Sequence, residues 1–309
     1  MQPVTALEDL RLDRPAYLTM GAFDGVHRGH QALIGALVAE AHAAGGAAVV
    51  VTFRPHPSVV LRGRRPLFYL STPDEKAAYL SALGVDALVT HPFNTEVAAI
   101  RAADFVTRLV RYAGLRVLWC GEDFALGHNR EGTVDFLRAE GTRHDFTVRV
   151  QPPVLIDGEI ISSTRIRQTL RDGAVEQAAR YLGRPFRLSG EVVVGAKRGR
   201  QLGIPTANLA VGDERATPAV GVYACRAHHA DWHGQAVVNI GFRPTFEGGD
   251  ARPTIEAHLL DYDGDLYGQT LALDFIARLR PEIKFPGIDA LLTQIRQDIV
   301  QARLTLSVA

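Results

Sequence analysis

At Gly183-Arg184-Pro185 the hydrophobic pattern of this 309-residue chain changes period, and no other feature constrains its fold as strongly. Before that point, short apolar runs alternate with segments at helical spacing. Ala16–Met20 ends at Gly21. Residues 28–44 carry Leu33, Ala36, Leu37 and Ala41 on helical spacing and stop at Gly45-Gly46, and residues 47–53 form a continuous strand of the buried type. Ser71 to Glu75 reads as a helix start, with a capping hydroxyl followed by proline and acids. Residues 85–90, 115–120 and 146–150 read as further strands, 102–112 and 133–138 as helices between them, and 163–171 and 174–182 as two closing helices. This rhythm predicts an α/β domain with a Rossmann-like parallel sheet and helices on both faces. After the change, the β runs 187–194, 221–227, 235–240, 254–260 and 270–276 predict a small antiparallel β-barrel. Ile288, Leu291, Leu292, Ile295 and Ile299 form one stripe of a long C-terminal helix that plugs or flanks it. The expected domains are therefore 1–184 and 185–309.

Composition narrows the classes. Apolar residues make up 47% of the chain, enough for two cores, and the longest uninterrupted apolar run, Ala47–Val51, is far too short to cross a membrane. Residues 1–17 are rich in charge, so no signal peptide is expected. Only Cys120 and Cys225 occur, which excludes a disulfide framework or a cysteine-based zinc site and suits a reducing cytoplasm. The 34 basic residues are balanced by 34 acidic ones, which argues against a dedicated nucleic-acid binder.

The stretch GAFDGVHRGH (Gly21 to His30) lies at the end of the first strand and opens the first helix. Ligands of open α/β sheets bind at such turns, glycines allow a phosphate close to the backbone, and the helix N-terminus offers N–H groups and positive potential. His27 and His30, three apart, can point the same way and donate hydrogen bonds as charge develops in phosphoryl transfer. Half of a metal site, or surface residues of a turn, are the other readings of the pair. ISSTRIR (Ile161–Arg167) adds three hydroxyls and two arginines at a helix start, more than a plain N-cap needs, and so suits an anion. TFRPHP (Thr52–Pro57) follows the second strand; spacing alone leaves open whether His56 lines a pocket or belongs to a structural loop.

In the second half, GAKRGRQLGIPTAN (Gly195–Asn208) is a glycine-rich basic loop that could fold over phosphates, although the chain lacks a P-loop motif. Thr206 and Asn208 share a face if extended and offer oxygens that suit Mg²⁺; an ordinary polar loop is the equal alternative. Glu256 lies between apolar neighbours in a strand, either on the solvated face or at a barrel mouth where it could act as a general base. DYDGD (Asp261–Asp265) lacks the glycine and glutamate of a calcium loop, and Asp263-Gly264 reads as a hairpin turn. His228, His229 and His233 read as an exposed turn.

With GEDFALG (Gly121–Gly127), LGRPF (Leu182–Phe186), NIGFRPTF (Asn239–Phe246), IEAHLLD (Ile255–Asp261), GDLYGQ (Gly264–Gln269) and RLRPEIKF (Arg278–Phe285), these motifs occur in the order found in the bacterial bifunctional riboflavin kinase/FAD synthetases, which the chain resembles over nearly its whole length. The resemblance implies an N-terminal nucleotidyltransferase domain that joins FMN to the AMP of ATP, giving FAD and pyrophosphate, and a C-terminal kinase that makes FMN from riboflavin and ATP. It implies ATP contacts in the first domain by Gly21, Phe23, Asp24, His27, His30, Ser163, Thr164 and Arg165, with the two histidines catalytic. In the kinase it implies ATP contacts by Gly195, Lys197, Gly203, Thr206 and Asn208, Mg²⁺ on Thr206 and Asn208, and Glu256 as the base. Flavin contacts are expected at His56, Pro57, Asp123 and Arg280. Flavins and ATP would be the partners, with no nucleic acid and no membrane, and the chain a cytoplasmic monomer or weak homo-oligomer. Two places depart from the family pattern: Arg54, where an acidic or neutral residue is usual and which bears on flavin contacts, and Ala125-Leu126-Gly127, which replaces a more usual aromatic before glycine and bears on the pocket floor.

Overall fold

The structure, a computed structural model, describes residues 1–63, 68–195, 203–242 and 253–308. By its internal contacts the chain divides into two compact units, residues 1–65 with 69–163, and 66–68 with 164–309.

In the first unit the elements run β1 (Gln2–Val4), β2 (Ala16–Met20), α1 (Arg28–Ala43), β3 (Ala47–Arg54), α2 (Pro57–Arg62), α3 (Pro73–Ala82), β4 (Ala87–Pro92), α4 (Thr95–Ala98), α5 (Ala102–Ala113), β5 (Leu115–Gly121), β6 (Ala125–Leu126), β7 (Gly132–Thr133), α6 (Val134–His144), β8 (Thr147–Gln151), β9 (Leu155–Ile156) and β10 (Glu159–Ile160). Six strands form a parallel sheet in the order β1-β4-β3-β2-β5-β8. Successive side chains of a strand face opposite ways, so Leu18, Met20, Val49, Val51 and Leu118 pack in one core with Phe105 and Leu109 of α5. Tyr17, Ala48 and Val117 pack in another with Leu37 and Ala41 of α1. The helix start expected at Ser71 to Glu75 is that of α3, where Thr72 and Glu75 cap each other reciprocally. Helix α6 runs six residues beyond the expected Arg138, through Gly141, where the Phe146 carbonyl leaves no room for a Cβ.

The second unit holds α7 from Thr164 on (Ser163–Arg171), α8 (Val175–Leu182), β11 (Phe186–Val193), β12 (Ala207–Ala210), β13 (Gly221–His229), β14 (Trp232–Phe242), β15 (Pro253–Leu259), β16 (Thr270–Arg280) and α9 (Ile288–Val308). The strands close a barrel in the order β11-β12-β15-β14-β13-β16. Phe186, Tyr223 and Phe275 are fully buried and in ring contact within it. Helix α9 flanks the barrel, laying Ile299, Ala302 and Leu306 on Val222, Ala224 and Val237. Strand β12 stands where only an extended segment was expected; its pairing to both β11 and β15 closes the cylinder. The expected hairpin at Asp263-Gly264 does not form. Strand β16 pairs with β11 and β13 rather than with β15, so residues 260–269 are a crossing connection.

His91, at the end of β4, is buried, and its Nδ1 accepts a hydrogen bond from the Leu7 N–H at 3.3 Å. Burial lowers its pKa, with Glu8 opposing and Arg108 adding to the effect. A pKa depressed in the folded state means that the unfolded chain takes up the proton first. Stability from this group is complete above about pH 6.5, the ordinary histidine value, and is lost as pH falls from there through the folded pKa. Thermal melts should show the first unit weakening on acidification below that point. His91→Asn keeps an acceptor without a titration and should flatten the decline; an unchanged pH profile in that variant would remove His91 from the explanation.

Candidate functional site

The chain passes from β2 to its neighbour β3 on one side and reaches β5, on the other side, only after β4. In open sheets such a reversal opens a crevice at the strand C-termini. A cleft of about 890 Å³ lies there, lined by Gly21, Phe23, His27 and His30 from the turn after β2, by Asp123 after β5, and by Gln151 to Val154 after β8.

The turn is strained and heavily tied down. Phe23 (φ 45°) and Val26 (φ 39°) adopt left-handed conformations, which are costly for residues with a Cβ, beside Gly25 at φ 79°. The Asp24 carboxylate accepts bonds from the Leu70 N–H (3.0 Å) and the Ser71 N–H (3.2 Å), and the Ser71 hydroxyl accepts one from the Gly25 N–H (3.1 Å). Asp24 is buried and through these bonds braces the turn from within. On the other side, Lys76 Nζ and the Thr52 hydroxyl both donate to the Ala22 carbonyl, at 2.8 and 3.0 Å.

His27 caps α1, its Nδ1 accepting from the His30 N–H at 3.4 Å. An accepting Nδ1 places the proton of the neutral ring on Nε2. The His27 and His30 rings stack with centroids 3.6 Å apart, and the edge of Phe23 meets His30. A Cβ on Gly29 would stand 3.2 Å from the His27 ring, so glycine there leaves the ring its position. Burial, then the His27 and Lys76 charges, holds the His30 pKa well below the ordinary value, and the ring is neutral at pH 7. Its buried Nδ1 has no hydrogen-bond partner among the described residues. The pair thus sets a neutral His30 imidazole against the His27 ring at a helix N-terminus, a place suited to phosphate oxygens.

Other expected residues are placed differently. Ser163 starts α7 and its hydroxyl donates to the Asp24 carbonyl at 3.0 Å, which brings it to the turn; Thr164 and Arg165 follow on the helix and belong by their contacts to the second unit. His56 and Pro57 open α2. The His56 ring accepts from the Ser58 N–H at 3.0 Å, so the residue is a helix cap outside the cleft. Gln151, Pro152 and Phe124 line the cleft without having been singled out; their position at or shortly after the ends of β8 and β5 was the available signal.

In the barrel, Asn208 of β12 pairs in register with Glu256 of β15, which pairs with Asn239 of β14. The three side chains form a partly buried polar row across neighbouring strands. A Cβ on Gly195 would collide with the Asn208 side chain, so the backbone at Gly195 comes right up to it. Thr206 lines a separate cleft of about 1240 Å³ with Tyr262, Asp265 and Tyr267. Ala207 and Ala257 line that cleft too, and the alternation turns Asn208 and Glu256 to the other face. Gly203 has φ 74°; Lys197 lies outside the described residues. The segments 196–202 and 243–252, which join β11 to β12 and β14 to β15, also lie outside them. Asn239 was quoted only within a motif; cross-strand register, which sequence does not display, brings it to Glu256.

Arg280 is held by α9. Its Nε and Nη2 donate to the Asp298 carboxylate at 2.7–3.1 Å, Gln294 donates to the same group, and Asp298 is 4% exposed. Removing one member of a buried pair leaves the other charge uncompensated, at roughly 3–5 kcal/mol. Asp298→Ala should lower the stability of the second unit toward that range in urea titration. A loss below about 1 kcal/mol would show that water replaces the carboxylate.

Models of two protein families match this arrangement in order. FAD synthetase covers residues 10–165 and riboflavin kinase residues 182–306. Curated relatives named bifunctional riboflavin kinase/FMN adenylyltransferase include one from Pseudomonas fluorescens, 40% identical over 98% of this chain and 97% of its own length. Another, from Escherichia coli strain K12, is 36% identical over 93% and 91%. A crystal structure described as a macrolide-efflux protein from Streptococcus pneumoniae superposes with a TM-score of 0.89 at 31% identity, covering 97% of this chain and 98% of that one. Fold and family models together define a transferase with two flavin-nucleotide domains. The chain belongs to the bifunctional riboflavin kinase/FMN adenylyltransferase family. Among the described residues no helix is long and apolar enough to cross a membrane.

Proposed function

We propose that residues 1–184 carry adenylyl transfer to FMN and residues 185–309 carry riboflavin phosphorylation, each at the site described above. The carrying observation is the stacked His27/His30 pair at the N-terminus of α1, facing a cleft at the switch point of the sheet. In adenylyl transfer a phosphate oxygen of FMN attacks the α-phosphorus of ATP, the bond to the β-phosphate oxygen breaks, and pyrophosphate leaves. Charge grows on oxygens that imidazole N–H groups can meet. His27 Nε2–H is set as one such donor, and the unpartnered Nδ1 of His30 leaves that ring able to bond a phosphate. Gly21 and Phe23 shape the floor of the cleft, and Asp24 and Ser163 act on the turn. Asp123, at the cleft, is a flavin contact; the same role for His56 and Pro57 has less support, because His56 is used as a helix cap.

In the kinase, Glu256 takes the proton of the ribityl hydroxyl as its oxygen attacks the γ-phosphorus, and ADP leaves. Gly195, Lys197, Gly203 and Thr206 hold ATP, and Arg280, fixed by Asp298, stands by the flavin or its phosphate. For Mg²⁺ the expected ligands fit in part: the Thr206 hydroxyl and the Asn208 amide are hard oxygen donors, but Thr206 lines the cleft with Tyr262 while the Asn208 side chain packs against Gly195 on the other face. When bound, the ion would neutralise phosphate charge. A cytoplasmic location belongs to the same reading, supported by two cysteines that are both free and buried.

The test is direct: purified protein with riboflavin, ATP and Mg²⁺, with separation of the flavin products. FMN followed by FAD is the expected course. Accumulation of FMN alone would remove the adenylyltransferase, and unchanged riboflavin would remove the kinase.

A further inference from the structure

Lys76, on α3, has its ammonium against the underside of the Gly21–His30 turn. It donates to the Ala22 carbonyl (2.8 Å) and to the Thr52 hydroxyl (3.2 Å), and no carboxylate stands within ion-pair distance of it among the described residues. The nearest acid in effect, Asp24, already accepts from the Leu70 N–H and the Ser71 N–H. A partly buried cation without an ion-pair partner is unfavourable in the free protein unless something else gains from it. What it touches is the carbonyl that ends β2 and begins the strained turn. What it acts on at longer range is His30.

We propose that Lys76 is a positioning residue of the adenylyl-transfer site: from beneath the turn it fixes the Ala22 carbonyl and holds a positive charge there until substrate phosphates arrive. The proposal rests on the reading of the cleft as the adenylyltransferase site. It assigns the missing counter-charge to the incoming polyphosphate. Bound phosphates above the turn would then compensate Lys76 below it, with the peptide between them polarised by both.

The groups that face the ammonium set its titration. Asp24 from the turn favours the charged form. Arg54 from β3, itself near the Tyr69 ring, disfavours it, and the start of α1 brings His27 and His30. On its own helix, Asp74 and Glu75 are neighbours in sequence, Glu75 being used in the cap with Thr72. Burial is the largest influence, and the ammonium is pushed down to about 8. The charge that holds the turn is thus lost at moderately alkaline pH. The site then loses its grip on Ala22, and the ring of His30 regains part of its basicity.

The experiment uses the full-length protein and its Lys76→Arg and Lys76→Met variants. The rate of FAD formation from supplied FMN and ATP is followed as kcat/KM for ATP between about pH 6 and 10, a quantity that reports groups of the free enzyme. Wild type should show an alkaline decline centred near pH 8. Lys76→Arg, whose guanidinium stays charged throughout, should carry activity beyond pH 9. Lys76→Met should lose about 10- to 100-fold at pH 7, mainly in kcat, and riboflavin phosphorylation should be unchanged in both variants. An imidazole NMR titration gives a readout apart from activity: the His30 pKa should rise in Lys76→Met. A shared alkaline limb in wild type and Lys76→Arg, or a wild-type rate and His30 titration in Lys76→Met, would overturn the proposal. Should Lys76→Met not fold, the arginine profile decides alone. If the wild-type protein forms no FAD, the assignment of the cleft fails. The His30 titration then still decides whether Lys76 sets the charge of the turn.

Discussion

Glu256→Gln should slow riboflavin phosphorylation by about 10²–10⁴-fold, the usual worth of a positioned general base, while FAD synthesis from supplied FMN continues near the normal rate. Glutamine keeps the size and hydrogen bonding of the side chain but cannot accept the hydroxyl proton. The structure sharpens the contrast with a bland surface carboxylate. Glu256 is partly buried and stands in register between Asn208 and Asn239, so it occupies a defined place in a polar row. A solvated strand carboxylate would change the rate little, since surface substitutions usually cost under about 0.5 kcal/mol. Assaying the variant once from riboflavin and once from FMN separates the two cases. A wild-type kinase rate would leave the second site without a base.

The second large effect is expected at His30. His30→Ala removes one donor to a charged transition state, worth about 10²–10³ in rate, and FAD formation should fall by that order while FMN accumulates from riboflavin. The ring also stacks on His27 and meets the edge of Phe23. His30→Asn is the companion variant: it keeps a polar side chain of similar reach without an imidazole, and comparison with alanine divides hydrogen bonding from packing. Because the imidazole is held neutral by burial and by its neighbours, protonation of His30 should lower the wild-type rate only in acid, leaving the alkaline decline to Lys76. Equal loss of both activities in His30→Ala would point to a damaged fold instead of a lost donor.

Much of the architecture was legible along the chain because burial is periodic. Ala16–Met20 is an observed strand to the residue, and α1, β3, α5 and α8 differ from expectation by a residue or so at an end, since each is long, strongly patterned and closed by glycine or a cap. The His27/His30 turn was legible for a related reason. Its glycines, its histidines and the helix that follows are neighbours in sequence, so spacing and geometry coincide. The short elements were not legible: β1, α2, α4 and the small strand pairs offer too few residues for a period, and their existence depends on what they meet.

By itself, then, the sequence determined where strand–helix alternation gives way to strands, which faces of those elements are apolar, and where a phosphate-binding turn can form. All three follow from interactions within a few residues. Tertiary structure alone decided which strands are neighbours and which side chains lie under the sites. It closed the barrel through β12, separated β15 from β16, and gave Arg280 to Asp298 from 18 residues away. It brought Lys76 to the carbonyl of Ala22 across 54 residues. Such contacts carry no local signature, because the partner of a buried charge is chosen by the packing of whole elements and not by the residues beside it.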